Sequence, residues 1–312
     1  MAEPVAIAAL ALDAAIGWPR SLYARIGHPV GLFARIIAWC ERYGNRPRWS
    51  DRLRRIAGVG TVAMLLIAAI CGSLLLEGLV HRWLGSFSWI GIAVLAWPAM
   101  AQRSLFEHVL PVARHLRAGH IGEARQAVSL IVGRDTETLD EPAIARAAIE
   151  SLSESFCDGI AAPLFWLLIG GLPGIWAYKA INTADSLIGH KEERWRAFGW
   201  AAARTDDVMN FVPARLAGAT LCLAGGGGWR IMLRDAGKHA SPNAGWTEAA
   251  MAGALGLRLA GPISYDGMAH DKPWIGEGDG RACAHDIHRA LRIYLRACAM
   301  LWIVAATIQW AA

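Results

Sequence analysis

The stretch ESLSESFCDGIAAP, residues 150–163, decides how the chain is read. Glu150, Glu154 and Asp158 recur every fourth residue, and the last leads into an apolar run that continues to Tyr178. On a helix, side chains four apart share a face, so the three acids form one stripe. Such a stripe repels itself and, beside an apolar segment, is costly to desolvate. A solvated or arginine-paired helix face relieves both costs, and so does a bound cation. Magnesium with phosphate ligands suits a carboxylate-only site, and ionisable groups at membrane depth are functional by default. Glu150, Glu154 and Asp158 are therefore the expected metal ligands. Just upstream, DEPAIARAAIESLSES offers Asp140 as an N-cap and Pro142 in the first turn, which predicts one helix carrying all three acids.

Composition explains why acid stands beside so much apolar sequence. The 312 residues are 55% hydrophobic and only 18% charged, with 15 Trp and 33 Gly, which points to several membrane segments and away from a second soluble domain. The net charge of +5 comes mostly from arginine, and in so apolar a chain it suits lipid head groups or phosphorylated ligands, not nucleic acid. Six scattered cysteines form no C-x-x-C pair, which excludes a cysteine zinc site and a disulfide scaffold. The N-terminal stretch has no basic start and carries Asp13, so no cleaved signal peptide is expected.

Residues 56–80 hold an apolar core of roughly 20 residues, long enough to cross a bilayer. Residues 83–101 return after a short turn at His81 and Arg82, predicting a transmembrane hairpin. Nine arginines and two acids lie between Arg20 and Arg55, which places that segment in the cytoplasm by the positive-inside rule. Residues 105–135 show helical spacing of apolar residues with charges between, predicting amphipathic helices on the same side. The segments 156–178 and 208–228 are broken by glycine and proline, and 293–311 is a further candidate span. Interrupted helices at membrane depth need protein cover, so re-entrant helices are expected at the first two. The expectation is an all-α, polytopic integral membrane protein with interrupted or re-entrant helices and cytoplasmic amphipathic helices, folded as a single helical unit over 1–312.

Two more polar clusters border the broken segments. NTADSLIGHKEERW, 182–195, carries Asn182, Asp185, His190 and Lys191; ARTDDVMNFVPARLAG, 203–218, carries Arg204, Asp206, Asp207, Asn210 and Arg215. Any one could be surface polarity, but three at such borders predict one polar cavity. Acids would hold a metal there while Arg and Lys hold the phosphates of a nucleoside triphosphate. Ser241, Pro242 and Asn243 make a turn or cap before a helix of small residues, and equally suit a ligand loop. His28, before Pro29, is a candidate substrate contact, although a lone histidine there is more often structural. His285 and His288 lack a third ligand, so no metal is expected on them. GGGGW lacks the Lys-Ser/Thr of a phosphate loop, and no GxSxG elbow occurs.

Residues 132–218 with SPNAGWTEAAMAGALGLRLAGP, 241–262, and the opening HPVGLFARIIAWCER, 28–42, resemble the CobD/CbiB family of cobalamin biosynthesis, the adenosylcobinamide-phosphate synthases. The resemblance covers nearly the whole chain and is weakest at 51–100 and after 270. It implies an inner-membrane, multi-pass protein whose active site faces the cytoplasm, acting with ATP and Mg²⁺. Its substrates would be adenosylcobyric acid and 1-amino-2-propanol or its O-phosphate, with membrane lipid around it and a partner subunit or second copy possible. Matching positions are Arg134, Asp135, Glu150, Glu154, Asp158, Asn182, Asp185, Lys191, Arg204, Asp206, Asp207, Asn210, Arg215, Ser241 and Asn243. Ser155, His190 and Thr247 depart from the pattern. Asp185, Lys191, Asp206 and Asp207 are the expected catalytic set, with Arg134, Asp135, Asn182, His190, Arg204, Asn210, Arg215, Ser241, Asn243 and His28 binding substrate. A magnesium-dependent transferase using a lipid diphosphate, or a non-enzymatic membrane sensor, are the alternatives.

Overall fold

The computed structural model describes residues 3–265, 268–270 and 272–311. Its helices in chain order are α1 (Val5–Ile16), α2 (Arg20–Ile26), α3 (Val30–Gly44), α4 (Asp51–Leu84), α5 (Ser88–Ala96), α6 (Gln102–Arg117), α7 (Ile121–Ser129), α8 (Glu141–Phe156), α9 (Ala162–Ile188), α10 (Glu193–Arg196), α11 (Trp200–Met209), α12 (Phe211–Gly225), α13 (Trp229–Asp235), α14 (Ala244–Leu255) and α15 (Ala284–Ala311). The chain is all-α apart from two short antiparallel ladders, β1 (Arg258–Ala260) with β4 (Trp274–Gly276) and β2 (Ile263–Tyr265) with β3 (Met268–His270). Among the described residues, three stretches are long and apolar enough to cross a membrane, or up to 5 if each of two bent helix pairs is one span. Contacts gather the chain into two compact units: residues 1–101, 162–210 and 305–312 in the first, and 102–161 with 211–304 in the second.

In the first unit, α4 shows how a membrane helix sorts its faces. It hides Gly58, Thr61, Val62, Leu65, Ala69 and Ser73, which fall on one face of the helix, while Ile56, Ile67, Leu74 and Leu75 are exposed. Small residues inward and large apolar ones outward is the pattern of close helix packing in lipid, where dispersion contacts replace the hydrophobic effect between helices. Ser50 caps the start by accepting from the Leu53 amide, and Gly85, with φ 51, ends the helix. The helix thus runs past His81 and Arg82, and the chain turns at 85–87, because glycine alone reaches that backbone conformation without strain. The expected returning span 83–101 is only the nine-residue α5 and a short 3-10 turn, too short to cross a bilayer by itself. The inward stripe packs on Phe33 and Ile37 of α3, Ala180, Ile181 and Ile188 of α9, and Phe198 and Ala202 around α11.

Two glycines allow the approach of backbone to backbone that this packing needs. A Cβ on Gly58 would overlap the Phe198 carbonyl, and one on Gly199 would overlap the Ile188 carbonyl. We expect Gly199→Ala to cost on the order of 3 kcal/mol, read as a lowered melting temperature in detergent. An unchanged melt would show that the 188–199 connection has room the structure does not show.

α9 is interrupted as expected. Gly171 has φ 59 and ψ −151, Pro173 follows, and residue 174 lies so close to the Trp166 carbonyl that only glycine fits. The chain therefore doubles back between 166 and 174.

In the second unit, α8 begins where the sequence predicts, with Asp140 accepting from the Ala143 amide at 2.9 Å. At its C-terminal end the helix widens into a π-turn at Cys157–Ala161, so Asp158 does not continue the regular spacing of Glu150 and Glu154. Buried α14 is built mostly of small residues, and Ser241 caps its start by accepting from the Asn243 and Ala244 amides at 3.2 and 3.3 Å. Asp235, fully buried, accepts from Arg234, from the Gly276 amide at 2.8 Å, and pairs with Lys238 at 2.9 Å. The Arg234 hydrogen bond leads these interactions in holding its carboxyl far below the usual carboxylate range, which ties β4 to α13.

Candidate functional sites

The first unit brings six of the predicted residues within electrostatic reach of one another. Asp185, near the end of α9, interacts with Asp206 and Asp207 on α11 and with His190, while Asp207 also interacts with Lys191 and Arg204. Arg204 pairs with Asp207 at 3.2 Å, one turn along the helix. Asp206 is held by a buried relay: the Asn210 amide nitrogen donates to Asp206 Oδ2 at 3.0 Å, and the Tyr178 hydroxyl donates to Asn210 Oδ1 at 3.0 Å. Tyr178 is fully buried, so the relay is anchored in the core. Asn182 is buried one turn before Asp185. The Asp185 carboxylate lies against Gly189, where any side chain would overlap it. His190 Nε2 meets the Ser186 carbonyl at 3.1 Å, and its ring lies 5.5 Å from Trp195. The cluster thus sets three carboxylates within electrostatic reach of an imidazole, an ammonium and a guanidinium, the mix of charges that suits phosphate oxygens and their counter-cation.

His28 is placed apart from these contacts. Its Nδ1 accepts from the Val30 amide at 3.2 Å, and its ring packs edge-on to Trp18 at 4.8 Å. Burial, with the Lys179 charge adding to it, holds the imidazole below its ordinary pKa. The hydrogen bond from the Val30 amide sets the ring in the turn that leads into α3.

The second unit holds a polar cavity of about 150 Å³ lined by Arg134, Glu150, Glu154, His239, Glu248 and Lys272, among others. Glu150 is buried, and one of its oxygens pairs with Arg134 while the other accepts from the Ala260 amide at 2.9 Å. That is the arginine-paired arrangement weighed for the acidic stripe. Glu154 is exposed and lines the same cavity, and Asp158 sits half-buried on the π-turn. Among the described residues, no three His, Cys, Asp or Glu side chains gather as a metal-binding group. Asp135 is half-buried beside Arg134 in the chain.

Glu248, on α14, is a site residue that the sequence reading did not single out. It is 4% exposed and faces His239 at 3.6 Å. Burial first, and then the Glu150 and Glu154 charges, push its pKa well above 4.5, so the protonated form is favoured in the folded chain. A group raised in this way contributes stability that is complete below pH 4.5 and is lost as pH rises through the folded value. Glu248→Gln should therefore flatten the alkaline fall in melting temperature, gaining on the parent at pH 8 relative to pH 5. Parallel pH profiles would refute the assignment.

Elsewhere in this unit, Arg215 lies over the Phe211 ring at 3.7 Å and the Trp246 ring at 4.6 Å, and donates to Asn243 Oδ1 at 3.4 Å. Aromatic faces hold the guanidinium flat, ready for a planar anionic partner. Ser241 thus forms the cap at the start of α14, the first of the two alternatives weighed for this turn, and Asn243 also accepts from Arg215.

The comparisons with known proteins agree with one another. The family model for the CobD/Cbib protein matches residues 6–294. A cobalamin biosynthesis protein CobD of Rhodobacter capsulatus is 48% identical over 304 residues, covering 96% of this chain and 94% of that protein. Its counterpart in Sinorhizobium sp is 46% identical over 308 residues, covering 94% of each, and that of Brucella suis biovar 1 is 45% identical over 296 residues, covering 92% and 90%. No solved structure matches the chain.

Proposed function

This chain belongs to the CobD/CbiB family of cobalamin biosynthesis, and from that premise we propose that it is the ligase that joins adenosylcobyric acid to 1-amino-2-propanol or its O-phosphate, using ATP. The product is adenosylcobinamide or its phosphate. The observation that carries the reading is the cluster of Asp185, His190, Lys191, Arg204, Asp206 and Asp207, which sets both charge signs side by side next to the apolar helix α9.

The chemistry asked of these side chains is phosphoryl transfer followed by amide formation. A propionate oxygen of the corrinoid attacks the γ-phosphorus of ATP, ADP leaves, and an acyl phosphate forms. The amine nitrogen then attacks the acyl carbon, gives up a proton, and inorganic phosphate leaves. Lys191 and Arg204 hold the phosphoryl oxygens as charge builds on them. A carboxylate of the cluster or His190 takes the amine proton. Magnesium, when bound, neutralises phosphate charge, and it needs only one or two carboxylates beside phosphate oxygens and water. Asp185 with Asp206 or Asp207 meets that requirement in the first unit, as do Glu154 and Asp158 in the second; Glu150 has both oxygens engaged. Asn182 and Asn210 orient the acids of the first unit. Arg134, Asp135, Arg215, Ser241 and Asn243 contact substrate in the second, and His28 supports the first unit's substrate contacts through its turn. Nine arginines between Arg20 and Arg55 favour an inner-membrane protein with these clusters toward the cytoplasm.

The test is to incubate the detergent-purified protein with adenosylcobyric acid, Mg²⁺, ATP and either amine, and to follow the corrinoid by mass. An ATP-dependent amide is expected, and the amine consumed identifies the natural one. No product with either amine, in the presence of cell extract as well, would overturn the proposal.

A further inference from the structure

Helices α6 and α15 of the second unit lie antiparallel. The start of α6 meets α15 well inside its apolar part, where Tyr294 donates to the Gln102 carbonyl at 2.7 Å and Trp302 to Gln102 Oε1 at 2.8 Å. The opposite end of α6 meets the first turns of α15, where Arg114, Arg117, His285 and Arg292 all act electrostatically on His288. Arg114, Arg117, His285 and Arg292 are exposed. Among the described residues, none of these five basic groups pairs with a carboxylate, and the nearby Asp286 is occupied by Arg289 at 3.1 Å. Gathering like charges without counter-ions is unfavourable, and burial or fold connectivity does not demand it of exposed side chains. The patch also stands at a defined depth. It occupies the first turns of Ala284–Ala311, a candidate membrane span whose apolar body follows.

We propose that this end of the α6–α15 pair binds the phosphate head group of an anionic phospholipid. Basic pockets between helices at the membrane border recognise such head groups by charge, and their depth matches the phosphate layer. Arg114 and Arg117, spaced three apart on α6, and Arg292 on α15 all act on His288 and supply forked donors that suit phosphate oxygens. The imidazoles of His285 and His288 add further donors between them. The site lies on residues that the catalytic proposal does not use, so each can fail without the other.

Native mass spectrometry of the detergent-purified protein tests this, with phosphatidylglycerol and phosphatidylcholine added in equal amounts. The parent should retain phosphatidylglycerol in preference. Affinity should fall roughly fivefold for each arginine changed to Gln, and about a hundredfold in R114Q/R117Q/R292Q. The triple Lys variant should keep the preference, and all variants should melt as the parent does because the side chains are exposed. Equal retention of the two lipids by the parent, or an undiminished preference in the triple Gln variant, would overturn the proposal. So would displacement of the lipid by millimolar inorganic phosphate, which would assign the patch to a free phosphorylated compound.

Discussion

Asp206→Asn is expected to lower turnover at least about 100-fold while the protein melts as the parent does. Asn210 places the Asp206 carboxylate through a 3.0 Å hydrogen bond and is itself placed by Tyr178. An asparagine side chain has the same shape, so α11 loses no packing. What it loses is a full negative charge among Asp185, Asp207, Lys191 and Arg204, the group proposed to handle ATP. Steady-state kinetics with saturating ATP and corrinoid separate the outcomes. A fall in kcat is the expected signature, whereas a rise in KM for ATP alone would make Asp206 a ground-state binding residue, and near-normal activity would remove it from the mechanism.

Glu150→Ala tests stability instead. Arg134 is largely buried, and its charge is matched by the Glu150 carboxylate, which also satisfies the Ala260 amide. Removing one member of a buried pair leaves an uncompensated charge and costs about 3–5 kcal/mol. Removing both, in R134A/E150A, should recover part of that loss, because what remains is chiefly one unmatched backbone amide, worth about 1–3 kcal/mol. Thermal unfolding in detergent of the two single variants and the double completes the cycle. Additive effects would show that Arg134 and Glu150 stabilise the second unit independently.

The parts of this molecule written locally in the sequence were legible there. The apolar run 56–80 announces α4 because length alone decides whether a helix can cross a bilayer, and Asp140 with Pro142 announces the start of α8 because capping is settled within one turn. The break in α9 follows from Gly170, Gly171 and Pro173 in the same way. Features set by tertiary contact were not legible. The π-turn at 157–161 has no composition of its own, so the fourfold spacing of the acids predicted a regular stripe that the structure bends at Asp158. Tyr178 and Glu248 lie in apolar or small-residue helices, and only their partners, Asn210 and His239, reveal what they do. The strands β1 to β4 are each three residues long, too short for any alternation to register. For the site, the polar clusters could be read because charge beside apolar sequence is costly wherever it folds; which charges answer which could not.

The doubled-back α9 bears on how the chain is made. Its second limb, 172–188, measures about 26 Å at 1.5 Å per residue and falls short of a hydrocarbon layer of about 30 Å, whereas the first runs on from α8 through the π-turn. A translocon, which weighs a nascent segment before its neighbours exist, meets one continuous apolar stretch and has no means of sensing the fold-back that Gly171 and Gly174 permit. The hairpin has to be completed after release, when α3 and α4, already synthesised, offer the surface that α9 packs on. Completion of the first unit thus waits on the docking of α9 against α3 and α4, a step that lies outside what the apolar stretch itself encodes.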